Sequence, residues 1–546
     1  MLSLAGCDDD SSAKPTPTSP TPVDPTPTDP EPEPEPVPWD GTYTELEDPG
    51  DLVDEGPYDE ACRFLAAENP DPAVCEDPSQ FDISGCDAAG LAATETTGIY
   101  SSLLRIEQRL RDGQPPSNTL AWSAVDFRLF ADGTTGTVFR TPLVTRETSN
   151  GRFFLLSKRQ LPNNTTTTTA LMGCHARTPG LITGCFVSCS SNPRTGRTVG
   201  TFAAHRMSWH GHEGESSGGL KLVSESSTPV GLPADIYVAK GHAYVVSLAE
   251  GPRLGGLSVF DVSDRKHPVL RTTISLPGDN SWNGVWSKGD ALYIAANGSG
   301  LIVYDISKPA EPVFVRHFET APYGVHTVLV DGDRLYAMAP SIGTYVYDVT
   351  HPLDPVLRTV VSPGTEFALG GPHDSFVYEG RLYISHEFDG YIVMDVSNLD
   401  DVRVLGHYPH PDRGYAHHSA VGTFAGRTIA FEGGEFSGAH LRVLDVGAPE
   451  RIVKMGEFRL RPAASIHNIL LKGERLYIAW YQEGLRVLDV SNPTKPTQVA
   501  HYNTFRDSDP NRTDNLFEGA IGVRLGDDGT IYVVDTSRGL LIFDEE

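Results

Sequence analysis

Histidine and carboxylate side chains recur at one fixed place in the second half of this 546-residue chain. Asp235, Asn283, His326, Asp374 and His467 each stand six residues before a hairpin glycine, and His373 directly precedes Asp374. His417 and His418 occupy the equivalent stretch ahead of a longer hairpin, and Ala520 takes the place in the last copy with Glu518 close by. Imidazole nitrogen and carboxylate oxygen suit zinc, copper or iron. Such groups converging from separate segments would hold a divalent or transition-metal ion with one position open to water. The candidate metal ligands are His326, His373, Asp374, His417, His418 and His467. The competing reading is structural: polar residues at this position bond to the neighbouring backbone and stitch adjacent strands together. A metal-free ligand site is a third. Ser385-His386-Glu387 and Glu432 fall where they would share the same rim, but adjacent strand residues point to opposite faces, so the run is not a nucleophilic triad. The sequence has neither a phosphate-binding glycine loop nor an HExxH helix.

The element that gathers these side chains is a repeat. Short hydrophobic strands end in Asp261, Asp305, Asp348, Asp395, Asp445, Asp489 and Asp544, at spacings of 43 to 55 residues, the period of a four-stranded propeller blade. Residues Trp282 to Phe318 show the blade in full: an apolar strand, a Gly289-Asp290 turn, ALYIAA, an Asn297-Gly298 turn, LIVYD, then an outer strand. The aspartate is placed to accept backbone hydrogen bonds as an Asx turn, with Ser263, Ser307, Thr350, Ser397 and Ser491 two residues beyond it and Gly447 in one copy. The last copy lacks an outer strand, and Leu220 to Glu225 reads as a spare one. Their pairing would close a seven-bladed ring without exposed edges.

These seven strands resemble those of the LVIVD-repeat proteins, bacterial cell-envelope propellers, over roughly residues 232 to 546. The resemblance implies a propeller at the cell surface and carries over no catalytic residue.

Ahead of the propeller, Cys62, Cys75, Cys86, Cys174, Cys185 and Cys189 are confined to one region, which reads as three disulfides in an oxidising compartment, their pairing left open. Zinc at Cys174-His175, Cys185 and Cys189, with His205, His210 and His212 nearby, matches no standard module spacing. Alternating and apolar runs between these cysteines predict a small β-sandwich or barrel, lipocalin-like in outline, in which Ser101 to Arg111 is helix or strand. A filled core is expected over a ligand cavity.

The net charge of −29 is concentrated at the N-terminus, where residues 8 to 60 hold 17 acidic residues and one lysine. The Pro, Thr, Asp and Glu composition predicts a disordered, extended tether. Leu4-Ala5-Gly6-Cys7 looks like a lipobox, with Cys7 the lipidated residue and the secretory core expected upstream of Met1. No basic stripe suits nucleic acid, and any membrane attachment rests on Cys7.

The all-β chain therefore divides into a truncated signal (1–7), a tether (8–60), a disulfide-linked β domain (61–215) and a seven-bladed propeller (216–546). The expected function is a binding module tethered at the bacterial cell envelope, facing a protein or glycan partner. The alternative is a metal-dependent hydrolase or oxidase with its site at the mouth of the propeller channel.

Overall fold

A computed structural model describes residues 38–545 apart from 69–70, 112, 193, 208–213 and 321. Cys7, His210 and His212 lie outside the described residues. Seven antiparallel sheets, six of four strands and one of five, form the blades of a ring between Ser216 and Glu545. Blade one opens with Leu232–Ala239, and the inner strands of the next six are Trp282–Lys288, Thr327–Asp331, Asp374–Tyr378, Tyr415–Phe424, Ile469–Lys472 and Ala520–Leu525.

The ring closes as the sequence predicts. Leu220–Ser226 pairs antiparallel with Gly539–Glu545 and supplies the missing outer strand of blade seven. Ser216–Ser217 also pairs with the outer strand of blade six, so the entering chain fastens two blades. The repeat aspartates form the expected turns. Asp261 accepts from the Ser263 amide at 3.1 Å and its hydroxyl at 2.6 Å, and Asp445 accepts from the Gly447 amide at 3.0 Å. Strands such as Gly300–Asp305 are buried on both faces because each blade is packed between two others.

The β domain is a closed eight-stranded barrel. Gly98–Leu110, the segment read as helix or strand, is a strand, and it pairs with Arg197–Arg206 to shut the cylinder. Tyr100, Leu104, Phe127, Phe153, Phe186 and Phe202 fill the interior, so this barrel is a packed core. Its outer face is covered by the segment carrying Phe64 and Phe81 and fastened by Cys62–Cys185, Cys75–Cys189 and Cys86–Cys174. All three bridges clasp the first cysteine cluster to the second. Cys174, Cys185 and Cys189 are thereby removed from zinc binding. Loops of 88 to 123 residues are closed, and a single bridge of that span stabilises by roughly 4–5 kcal/mol in the chain-entropy account. Because the loops overlap, three together contribute less than three times that. Reduction with dithiothreitol is expected to lower a barrel unfolding transition in differential scanning calorimetry while leaving the cysteine-free propeller's transition in place. Co-melting at an unchanged temperature would contradict this.

The tether requires a correction. The acidic composition predicts disorder through residue 60, yet from Trp39 the chain is docked on blade five. Trp39 and Tyr43 pack against its core, and the Leu46 amide donates to the Lys454 carbonyl at 2.8 Å. Asp48 and Asp51 accept from the fully buried Arg442, each at 2.7 Å. The carboxylates that read as solvating charge are the partners of buried cations some four hundred residues away.

Candidate metal centre

Each inner strand begins at the same end of the channel, so the position six residues before the hairpin glycine falls at one rim in every blade. The hub is tight: a Cβ on Gly284 would stand 2.9 Å from the Thr327 Cα of the next blade. In blade five a β-bulge between Ala416 and His418 lets two consecutive residues face the hub.

Four imidazoles from consecutive blades form a chain across this rim. Ring centroids are 4.1 Å apart from His326 to His373, 4.1 Å from His373 to His417 and 4.2 Å from His417 to His467. Their outer nitrogens and backbones are tied to neighbouring groups. His467 donates from Nδ1 to the Ile521 carbonyl of blade seven at 2.6 Å, and His373 Nδ1 lies 3.3 Å from Asp374 Oδ2. The bond at His467 holds its proton on Nδ1 and leaves its Nε2 as a lone pair, and the Asp374 carboxylate favours the same tautomer of His373. The Asn283 amide nitrogen donates to the His326 carbonyl at 3.1 Å, which orients the amide, and also reaches His326 Nε2 at 3.2 Å. His326 Nε2 and His373 Nε2 lie 2.8 Å apart, a separation that one ring's Nε2–H donating to the other's lone pair satisfies. A metal ion taking either nitrogen would displace that proton.

Burial pushes His326 and His373 down to about 3, and His417 and His467 well below the ordinary imidazole value, so all four are neutral at pH 7. Glu435 stands beside them, with Oε2 3.8 Å from His417 Nε2 and Oε1 4.0 Å from His467 Nε2, and it accepts from the Tyr481 hydroxyl at 2.7 Å. Burial raises its carboxyl to about 7. Ligand atoms of His373, His417 and Glu435 lie within 4.8 Å of one another. Two nitrogens bound at about 2.0–2.1 Å and at right angles would be about 2.9 Å apart, close to the His326–His373 separation.

Two of the six candidates do not join this chain. His418 accepts from the Ile469 amide at 3.3 Å, and its ring is 6.5 Å from that of His417. It stitches blade five to blade six. Asp374 orients His373. Asp235 likewise stitches, accepting from the Val285 amide of blade two at 3.0 Å. His418, His467 and Asp235 thus bond to backbone of a neighbouring blade, as the structural reading expects, while His326 and His373 meet through their Nε2 atoms. Glu432 is not on the rim but buried beneath blade five, 3.2 Å from His410. His386 pairs with Asp389 at 3.1 Å, so Ser385-His386-Glu387 is no triad. Glu518 is engaged by Arg512 and Thr513.

Sequence reasoning missed Glu435 and an aromatic cover. Tyr415 lies 5.6 Å from His373 and Tyr481 4.9 Å from His467, and Phe388, Phe436 and Phe517 link them edge to face. Glu387, Phe436 and Tyr481 adopt positive φ of 46°, 82° and 27°, strain that bulky residues rarely carry and that gathers at functional sites. Away from this cover, a cavity of about 890 Å³ runs along the axis past the histidines towards Asp331, Lys472 and Asp527.

The LVIVD repeat matches residues 281–320 and 465–504, the whole of blades two and six. This chain carries LVIVD repeats folded as a seven-bladed propeller. The LVIVD propeller is similar to the WD40 β-propeller domain of Doa1, with 12% identity and a TM-score of 0.45 over 60% of this chain and 98% of that one. It is also similar to the computationally designed Ika8 protein, with 10% identity and a TM-score of 0.40 over 59% and 99%. No curated protein matches the chain. The rim of such a ring presents side chains from many blades to one place.

Proposed function

We propose that the first occupant of this scaffold is a first-row transition-metal ion, held by His373, His417 and Glu435, with His326 and His467 flanking them along the rim. The observation that carries this reading is the convergence of neutral buried imidazoles on Glu435, with ligand atoms of His373, His417 and Glu435 within 4.8 Å of one another. The metal-free alternative at His326 and His373 is one proton shared between neutral rings. Neutral imidazoles suit iron, copper, zinc or nickel, and a carboxylate near neutrality can release its proton when a cation arrives. A bound ion would act as a Lewis acid or redox centre, and Glu435 and Tyr481 would hold or pass a proton beside it. Two nitrogen ligands with one carboxylate leave room for further ligands.

The setting we propose is the bacterial cell envelope, with Cys7 as a lipid anchor and the Pro-rich tract as spacer. The resemblance to envelope LVIVD proteins, the cysteine-bridged barrel and the Leu4-Ala5-Gly6-Cys7 pattern support it. A protein or glycan partner is a second reading, favoured by exposed Tyr323 and Leu369 beside the same rim. Elemental analysis of residues 39–546, made in an oxidising compartment and purified without chelator, is expected to find near-stoichiometric iron, copper, zinc or nickel. Protein that stays metal-free after incubation with each of these ions would remove the metal reading and leave the partner reading.

A further inference from the structure

The axial cavity is much larger than a metal site needs, and its walls are unlike its histidine end. Beyond the imidazoles the inner strands contribute Val330, Phe376, Val377, Leu470, Leu471 and Leu525, all half-buried at the cavity surface. At about 890 Å³ it falls at the upper end of the range of small-molecule sites, which are apolar walls with a few placed polar groups. Ser375 Oγ, in a residue more than nine-tenths buried, lines the cavity without a hydrogen-bond partner among the described residues. Arg524 is stacked on Trp286 and Tyr237, 4.5 and 4.8 Å from their rings, and bonds to the Ile236 carbonyl at 3.3 Å. Its charge is held against the wall.

We propose that this channel binds an elongated, uncharged, apolar molecule, with one oxygen function directed to Ser375 and the histidine end. The direction of that oxygen rests on the metal reading above; the apolar occupant does not. Charge is unfavourable in either sign. An anion would meet Asp235, Asp374 and Glu435 at the closed end and Asp331 and Asp527 at the far mouth, and a cation carried in past Lys472 would leave water for aliphatic walls and meet Arg524 and, on the metal reading, the ion itself. An alkyl chain instead exchanges water for aliphatic side chains from several blades and leaves its hydroxyl or carbonyl to the polar end.

The test uses residues 39–546 with N-phenyl-1-naphthylamine, a neutral apolar fluorophore, displaced by 1-decanol, decanoate or decyltrimethylammonium. Saturable probe binding is expected, with decanol displacing at least 10-fold more effectively than either charged analogue of equal chain length. Leu471→Glu and Leu525→Glu are expected to weaken the probe at least 10-fold with an unchanged circular dichroism spectrum. Both sites are half-exposed towards the far mouth, so two variants guard against one that fails to fold. Absence of saturable binding, binding unaltered in a folded variant, or displacement by a charged analogue as good as by decanol would overturn the proposal. Elemental analysis of the same samples reads the metal separately: probe binding without metal removes the metal reading alone, and metal without probe binding removes the channel proposal alone.

Discussion

His417→Ala is expected to weaken metal binding by more than about 100-fold, while His418→Ala, one residue along the same strand, leaves it nearly intact. The His417 ring lies between those of His373 and His467, its Nε2 is the imidazole nitrogen nearest Glu435, and its Nδ1 is buried without a partner. Losing a group that only positions a ligand costs roughly 10- to 100-fold, so losing a central ligand should cost more. Without metal, His417→Ala should be close to neutral for folding, because it removes a buried polar group whose bonds are incomplete. His418 instead accepts from the Ile469 amide. Its replacement leaves that amide unpaired and should cost about 1–3 kcal/mol of stability. Chelator-competition titration and urea unfolding of both variants separate the effects. Equal metal affinity in the two would contradict the assignment.

The second large effect is expected at the docked N-terminal segment. Asp48→Ala with Asp51→Ala should destabilise by about 3–5 kcal/mol, because Arg442 would remain buried with its charge largely uncompensated. Adding Arg442→Met should recover most of the loss, since a buried charge network exchanged for apolar packing is often neutral. Urea midpoints of the double and triple variants check both. The same contacts set an acid dependence. Burial alone would raise the Asp48 and Asp51 carboxyls, but Arg442, aided by Lys454 at Asp48 and by His440 at Asp51, brings both well below the ordinary value. Their contribution is therefore complete above the unfolded-state value near 4 and is lost as the pH falls below it. Between pH 5 and pH 2.5 the parent should lose more stability than the triple variant. Parallel losses would show that these carboxylates are not responsible.

The parts of this structure legible in the sequence are those that repeat. Strand, turn and aspartate recur in every blade, so the ring, its closure by Leu220–Ser226 and the Asx turns all follow from local pattern. Hairpin counting reached His326 and His467 directly, reached Asp374 one residue after His373, and placed His417 and His418 only by analogy, because the hairpin of blade five is longer. Glu435 was not legible: it ends the long second strand of blade five, whose extended hairpin breaks the count used elsewhere. Phe436 and Phe517 come from connections that differ in length between blades, and Tyr415 opens the lengthened inner strand of blade five, so no period marks them. The docking of Trp39 to Asp51 was hidden for another reason. Aspartates in a Pro-rich acidic run have the same composition whether they face water or a buried arginine, and Arg442 is remote in sequence. Disulfide pairing depended likewise on which barrel strands the first cysteine cluster covers, which local spacing does not encode.

The most direct test of the metal centre is anomalous diffraction from crystals of the propeller grown without chelator, recorded on both sides of the absorption edge of the metal found by elemental analysis. The account predicts one anomalous peak at the rim, within about 2.3 Å of ligand atoms of His373, His417 and Glu435. A peak elsewhere, or intact neutral imidazoles at the same spacing with no peak after soaking in iron, copper, zinc and nickel, would contradict it.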